Sequence, residues 1–162
     1  MAISVGDRLP DATLTVFGAD GVDEVSMAER LKGRKVVVFG LPGAFTRTCT
    51  AAHLPSFMRT KPGFDEKGID EIICLAVNDP FVMKAWGEAT GATAAGITLL
   101  ADQAAEFAKA IDMVFSNPKL GFFDRSKRYA LYAEDGVVQV MNHGQETGAC
   151  EISGGETLLG MI

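Results

Sequence analysis

The sequence lacks the features that mark several large classes of protein. Basic residues are few: 15 Lys and Arg stand against 21 Asp and Glu in 162 residues, so the net charge is −6. An acidic chain has no positive footprint for a phosphate backbone, and nucleic acid is therefore not an expected partner. Apolar runs are short, and none approaches the ~20 residues of a membrane span, so we expect no membrane association.

Cysteine and histidine are also scarce. The three cysteines, Cys49, Cys74 and Cys150, have no CxxC spacing, and an odd set of this kind does not build a secreted disulfide scaffold. Only Cys49 and His53 lie close together among possible ligands, so no metal site is expected. The N-terminus has no basic region followed by an apolar run, unlike a signal peptide. We therefore expect a cytoplasmic protein with reduced thiols.

The pattern of apolar residues predicts a single α/β domain over residues 1–162. Strands are predicted at residues 12–16, 35–41, 71–77, 97–100, 129–133 and 137–141. Helices are predicted at 27–31, from 48 or 49 with a kink at Pro55, from Pro80, after a cap at Asp102, and from Glu156 to the C-terminus. Because the last two strands flank Glu134-Asp135-Gly136, they form a hairpin. The prediction is a central mixed sheet with helices on both faces.

One segment, residues 41–50, has the composition of a reactive site. It places Cys49 in the first turn of a helix directly after a buried strand, where unpaired N–H groups and the helix dipole favour a thiolate. Arg47 adds a positive charge. The residues alone leave open a second interpretation, in which Cys49 is an inert buried thiol. Cys74 lies inside a core strand and is predicted to be silent, whereas Cys150 lies in a Gly-rich polar tail.

Residues 42–49, Pro-Gly-Ala-Phe-Thr-Arg-Thr-Cys, resemble the Pro-x-x-x-Thr-x-x-Cys signature of the peroxiredoxins. This version, followed by His53-Leu54-Pro55, is similar to the type II, peroxiredoxin-five-like subfamily. Further similar segments follow in the family's order: Val5-Gly6-Asp7, residues 77–81, Trp86, residues 100–102 and residues 127–129. The resemblance implies a thioredoxin-like fold. It also implies a thiol peroxidase that reduces hydrogen peroxide, organic hydroperoxides and often peroxynitrite, with no metal or other cofactor.

The resemblance also implies a role for individual residues. Cys49 corresponds to the peroxidatic cysteine, whose thiolate attacks the peroxide and becomes a sulfenic acid. Thr46 corresponds to the threonine whose hydroxyl binds the peroxide, and Pro42 to the proline that shields the sulfenic acid from water. Arg128 corresponds to the arginine that keeps the thiolate ionised and donates to the peroxide. The backbone N–H groups of Ala44 and Cys49 are expected to be further donors.

Two departures from the family pattern bear on the catalytic cycle. Arg47 stands where the family most often has proline, and it is expected at the rim of the site. Cys150 lies about two residues from the usual resolving position, which on a strand moves the sulfur by roughly 6–7 Å. We therefore expect a one-cysteine cycle with glutathione or a glutaredoxin as reductant, in preference to thioredoxin acting through Cys150. Relatives commonly form homodimers, and Phe45 or residues 115–120 are candidates for the dimer face.

Two other functions compete with the peroxidase. In a Cys–His hydrolase, His53 would be the general base for Cys49, but the sequence specifies no orienting group or oxyanion hole. We expect instead that His53 packs or forms hydrogen bonds, since a thiolate already stabilised by a helix terminus and an arginine needs no base. The second alternative is a non-catalytic thioredoxin-like module for redox sensing or protein interaction.

Overall fold

A seven-stranded mixed sheet is the centre of the computed structural model, which describes residues 2–143 and 152–162. The strands are β1 (Thr13–Gly18), β2 (Gly21–Ser26), β3 (Lys35–Gly40), β4 (Glu71–Ala76), β5 (Thr98–Ala101), β6 (Val114–Asn117), β7 (Phe122–Ser126), β8 (Tyr129–Glu134) and β9 (Val137–Asn142). The α-helices are α1 (Met27–Leu31), α2 (Leu54–Glu66), α3 (Pro80–Thr90), α4 (Glu106–Ala110) and α5 (Gly155–Leu159). The sheet order is β2-β1-β5-β4-β3-β8-β9, and β6 and β7 pair separately.

The middle of the sheet is parallel and its margins are antiparallel. Strands β3, β4 and β5 run parallel, while β8 and β9 on one side and β1 and β2 on the other are antiparallel to their neighbours. Nearly every residue of β3 and β4 is buried, as expected for parallel strands covered on both faces. The predicted mixed sheet is confirmed.

Helices cover both faces of this sheet, and each face has its own apolar core. On one face α2, α3 and α5 bury Phe57, Trp86 and Leu158 in one cluster. On the other face α1 and α4 bury Leu31 and Phe107 in a second cluster. The predicted thioredoxin-like arrangement of helices is therefore confirmed. None of the helices in the described ranges is long and apolar enough to cross a membrane.

Three strands were not predicted from the sequence: β2, β6 and β7. Strand β2 is an edge strand with acidic residues, and Val25 is its one fully buried side chain. Strands β6 and β7 form a peripheral pair in which most side chains are partly exposed, with an edge contact between Phe115 and Phe122. Because these strands do not span the core, they lack the apolar pattern that identifies buried strands.

The helix that carries Cys49 begins irregularly. Residues 47–48 are helical, Cys49–His53 form a π-helical turn, and α2 then continues to Glu66. Pro55 is the second residue of α2, directly after the π-helical turn, so its missing N–H group falls where the regular hydrogen-bond pattern is already interrupted. The irregularity expected at Pro55 therefore lies just before it, in the π-helical turn. Such turns are frequent at functional sites.

Candidate active site

The site lies where β3 ends and β8 begins. After β3 the chain turns through residues 41–46 and enters the helical segment that carries Cys49 in its first turn. Strand β8 is antiparallel to β3, and their register sets Gly40 opposite Tyr129. Arg128, the residue before β8, therefore lies beside the loop that follows β3. This register brings together two side chains that are 79 positions apart in the sequence.

Cys49 and Arg128 form a buried pair. The Nη2 atom of Arg128 lies 3.4 Å from the Sγ atom of Cys49. The exposed fraction is 0% for Cys49 and 4% for Arg128. A guanidinium N–H group at this distance donates a charge-assisted hydrogen bond to the sulfur. The structure thus unites two residues that the family resemblance assigned to the peroxide chemistry.

The loop before Cys49 is held in a strained turn. Phe45 has a φ of 64°, in the left-handed region that non-glycine residues rarely occupy, and its ring is exposed. The Thr46 hydroxyl donates to the Gly43 carbonyl oxygen at 2.6 Å. Thr46 is partly buried and lines the same groove as Arg128. Strained backbone at such a position is typical of functional loops.

The expected donor at Ala44 is not available. Its N–H group donates to the Asn78 Oδ1 atom at 2.9 Å, so it does not point to an open peroxide position. Asn78 lies in the loop after β4, next to the loop after β3, and its amide oxygen holds that loop in place. We therefore remove Ala44 from the substrate-binding set. Asn78 takes a supporting role that the sequence did not reveal, although it lies in one of the family-like segments, residues 77–81.

Pro42 is buried, and its carbonyl group is held by Arg125. The Arg125 Nη1 atom donates to the Pro42 carbonyl oxygen at 3.0 Å, and the Arg125 guanidinium lies 4.8 Å from the centre of the Phe122 ring. A side chain on Gly43 would overlap the same guanidinium, which would have to shift to make room for it. No sequence motif pointed to Arg125, because its contact depends on the peripheral strand β7.

An open groove of about 400 Å³ is lined by three of the four predicted catalytic residues, Pro42, Thr46 and Arg128, while Cys49 lies buried outside its lining. Its polar side includes Thr46, Thr48 and Arg128, and Arg47 lies at its exposed rim as expected. Its remaining residues are mainly apolar: Pro42, Phe45, Phe115, Leu120 and Phe122, with Asn117. The groove can therefore accept a ligand that has a polar end and an apolar body.

His53 is fully buried, and its ring makes edge contacts with Phe39 and Phe57, whose rings stack on each other. Its Nδ1 atom lies 3.0 Å from Arg128 Nη1, and its Nε2 atom lies 2.9 Å from the Ser153 carbonyl oxygen. Arginine only donates and a carbonyl only accepts, so Nδ1 carries the lone pair and Nε2 carries the proton. The expected packing and hydrogen-bonding role is confirmed, and Nδ1 is not free to act as a base.

The buried imidazole also affects stability. Burial, followed by the positive charge of Arg128, lowers the pKa of His53 from 6.5 to about 3. Between these values the unfolded chain binds a proton that the folded protein excludes. Stability contributed by the neutral imidazole is therefore present above the unfolded pKa and is lost as pH falls towards the folded pKa.

We expect the free energy of unfolding of His53→Gln to depend less steeply on pH below about pH 6 than that of the wild type. The wild-type free energy of unfolding should fall by up to ~1.4 kcal/mol per pH unit more steeply than that of the variant between pH 6 and pH 4. Urea unfolding at several pH values measures this slope. His143→Gln, which replaces the exposed second histidine, is the matched control and should keep the wild-type slope. Equal slopes in both variants would contradict a neutral buried His53.

The other predicted residues lie as follows. Cys74 is fully buried in β4, as predicted, and burial raises the pKa of its thiol well above the ordinary value, as expected for a silent thiol. Trp86 is buried, as expected, and its Nε1–H group donates to Thr50 Oγ1 at 3.1 Å. Cys150 lies outside the described residues. Within residues 2–143 and 152–162 no cluster of three or more His, Cys, Asp or Glu side chains has the arrangement of a metal site.

Known proteins similar to this chain identify its family. The redoxin family matches residues 4–159. A chloroplastic peroxiredoxin-2E-2 of Oryza sativa subsp. japonica is 47% identical over 97% of this chain and 71% of its own length. Peroxiredoxin-2C of the same species is 40% identical over 97% of this chain and 96% of its own length.

A solved structure gives the same result for the fold. Reduced Prx3 from Vibrio vulnificus, crystallised in complex with H2O2, superposes with a TM-score of 0.92 at 40% identity, over 98% of both chains. Extensive identity, the shared fold and the buried cysteine–arginine pair lead to one conclusion. The chain belongs to the redoxin family, and it is a thiol peroxidase of the type II, peroxiredoxin-five-like group of peroxiredoxins.

Proposed function

We propose that Cys49 is the peroxidatic cysteine and that Arg128, Thr46 and Pro42 complete the peroxide site. The observation that carries this proposal is the 3.4 Å contact between Arg128 Nη2 and Cys49 Sγ, with both side chains buried. The thiolate attacks the terminal peroxide oxygen, a sulfur–oxygen bond forms and the oxygen–oxygen bond breaks. The leaving oxygen takes up a proton and departs as water or an alcohol, and Cys49 becomes a sulfenic acid.

Arg128, Thr46 and Pro42 each contribute to this reaction in a different way. Negative charge grows on the leaving oxygen, and a preorganised guanidinium next to the sulfur offsets that charge without reorganisation. The Thr46 hydroxyl donates to the Gly43 carbonyl, so its oxygen is left to accept a hydrogen bond from the peroxide O–H. Pro42, which is buried and lines the same groove as Thr46 and Arg128, limits the access of water to the sulfenic acid.

The proposed substrates are hydrogen peroxide and organic hydroperoxides, and peroxynitrite by family resemblance. The reduced Prx3 of Vibrio vulnificus was crystallised with H2O2, which supports the first of these. The apolar groove beside Thr46 and Arg128 supports the second, because an alkyl chain would bury apolar surface there while the peroxide end reaches the polar side.

For the return step we propose a one-cysteine cycle. Glutathione or a glutaredoxin attacks the Cys49 sulfenic acid, a mixed disulfide forms and water leaves. A second thiol then releases Cys49 in reduced form. The full burial of Cys74 and the raised pKa of its thiol support an external reductant, since a protonated buried thiol is a poor nucleophile. The sequence offset of Cys150 is the second reason, and thioredoxin acting through Cys150 is the less favoured route.

Peptide mapping after one equivalent of hydrogen peroxide tests this cycle. We expect a sulfenic acid on Cys49 when the fully reduced protein is treated in this way and its remaining thiols are then blocked by alkylation. When glutathione is present, the sulfenic acid should be converted to a glutathione mixed disulfide. Cys150→Ser is the matched control and should give the same products. A Cys49–Cys150 disulfide in the wild-type protein would contradict the one-cysteine cycle while leaving the peroxidase chemistry intact.

We further propose that the protein acts as a homodimer in the cytoplasm. Phe45, Leu120 and Phe123 are 58%, 64% and 66% exposed, and the first two line the groove. Clustered exposed apolar side chains favour a protein interface, which supports a dimer face at this end. A cycle that depends on a thiol reductant requires a reducing compartment, and this requirement motivates the cytoplasmic location.

A further inference from the structure

His53 is a buried polar side chain that the proposed chemistry does not use. In the proposed reaction His53 is neither the nucleophile nor a general base. Both of its ring nitrogens nevertheless form hydrogen bonds, inside an aromatic cluster. Buried polar groups are costly to retain unless their partners are satisfied. The question is what its two hydrogen bonds control.

We infer that His53 is a positioning residue: it orients the Arg128 guanidinium on Cys49 and connects that orientation to the C-terminal segment at Ser153. The inference rests on the proposed roles of Cys49 and Arg128.

The Arg128 guanidinium contacts both His53 and Cys49. Arg128 directs Nη1 to His53 Nδ1 at 3.0 Å and Nη2 to Cys49 Sγ at 3.4 Å. The guanidinium is planar, so a hydrogen bond that holds Nη1 restricts where Nη2 points. The Nδ1 acceptor of His53 therefore helps to set the direction of the donor that faces the sulfur. A few tenths of an ångström matter at such a donor, because it must meet charge that develops in the transition state.

The contact with Arg128 depends on which ring nitrogen of His53 carries the proton. Nδ1 accepts from Arg128 only while the ring proton lies on Nε2. The Ser153 carbonyl oxygen, 2.9 Å from Nε2, selects that tautomer. The opposite tautomer would direct an N–H group at the guanidinium and leave the carbonyl without its donor. Ser153 thus acts on Arg128 through the ring of His53.

The segment that carries Ser153 is anchored on the start of α2. Two residues later, the Gly155 N–H group donates to Ser56 Oγ at 2.9 Å, and the Ser56 hydroxyl donates to the His53 carbonyl oxygen at 2.6 Å. A side chain on Gly155 would overlap the backbone of Ser56. The C-terminal segment is therefore docked tightly on the start of α2, close enough to hold the Ser153 carbonyl against the imidazole.

Two substitutions separate the two hydrogen bonds of His53. Asparagine can place an oxygen near the Nδ1 position and keep the acceptor for Arg128, but it does not reach Ser153. Glutamine can place a nitrogen near the Nε2 position and keep the donor to Ser153, but it offers no acceptor at the Nδ1 position. The Asn variant therefore keeps the contact that orients Arg128, whereas the Gln variant keeps the contact that supports the structure at Ser153.

The test measures the second-order rate constant of Cys49 oxidation by hydrogen peroxide and the free energy of unfolding for each variant. We expect His53→Gln to be the more stable variant and yet to react ~10-fold or more slowly than the wild type, as for loss of a hydrogen bond to a charged group. His53→Asn should be less stable and yet faster than His53→Gln. This reversed order distinguishes positioning from packing. Rates that follow the order of stability, or a His53→Gln variant with the wild-type rate, would overturn the inference.

Arg128→Gln separates failure of this inference from failure of the proposed function. If Arg128→Gln reacts as fast as the wild type, the proposed role of Arg128 is wrong. If Arg128→Gln is slow but His53→Gln is not, only the inference about His53 is wrong. When both are slow, the double variant should react no more slowly than Arg128→Gln, because His53 acts through Arg128. A double variant with multiplied effects would overturn the inference.

A measurement on the unaltered protein completes the test. In ¹⁵N-histidine-labelled reduced protein at neutral pH, the His53 ring should show a protonated Nε2 and an unprotonated Nδ1. Detection of the Nδ1–H tautomer or of an imidazolium would overturn the inference independently of any variant's stability.

Discussion

Replacing Cys49 by serine is expected to abolish peroxidase turnover. A serine hydroxyl stays protonated at neutral pH and is a far weaker nucleophile than a thiolate, so the proximity of Arg128 cannot rescue attack on the peroxide. Steady-state turnover with hydrogen peroxide and a thiol reductant measures the loss. If Cys49→Ser kept more than a few per cent of the activity, the assignment of Cys49 would be wrong.

Cys74→Ser is the matched control, since it makes the same change of sulfur to oxygen at a second buried cysteine. We expect turnover near the wild-type level, measured on the folded fraction. The new hydroxyl enters an apolar core and costs about 1–3 kcal/mol of stability, but it does not touch the peroxide site. Loss of turnover in folded Cys74→Ser would give Cys74 a part in the cycle that its burial argues against.

The second large effect is expected for Arg128→Gln, which should slow oxidation of Cys49 by hydrogen peroxide by about 100-fold or more. Loss of one preorganised donor in a water-excluded site costs rate on this scale. The fixed positive charge beside the Cys49 sulfur is lost as well. Stopped-flow kinetics can follow the reaction through Trp86, the single tryptophan, which contacts Thr50 beside Cys49. Second-order kinetics equal to the wild type would remove Arg128 from the mechanism.

Arg47→Gln is the control for charge alone. Arg47 lies at the exposed rim of the same groove, and solvent screens its charge, so the substitution should change the rate constant only a few-fold. Arg128→Lys adds a second comparison, because it keeps the charge but loses the planar fork. An intermediate rate is expected for Arg128→Lys, since a single ammonium cannot contact both Cys49 and His53 in the geometry of the fork.

The central strands and the catalytic helix could be predicted from local sequence. Residues 36–39 and 72–77 are continuous runs of apolar residues, and such runs are typical of parallel strands buried on both faces. Pro42 and Gly43 follow the first run and place Cys49 at the start of the next helix. The strands β2, β6 and β7 could not be predicted in this way, since their pairing buries too few side chains to impose an apolar alternation.

The site was only partly accessible to sequence reasoning. A cysteine in the first turn of a helix after a buried strand indicated reactivity, but Thr46 and Arg128 were identified by family resemblance, not by any local pattern. The prediction for Ala44 failed because the Asn78 side chain, in the loop after β4, accepts a hydrogen bond from its N–H group. Arg125 was missed for a similar reason: its guanidinium reaches Pro42 from the peripheral strand pair.

By itself the sequence determined where the buried strands lie, where the chain must turn and which cysteine begins a helix. These features depend on side-chain periodicity and on Pro and Gly, which act over a few neighbouring residues. Only the tertiary structure decided that Arg128 faces Cys49 and that His53 stands between Arg128 and Ser153. The antiparallel register of β3 with β8 and the docking of α5 on α2 determine those contacts. Both join positions that are far apart in the chain.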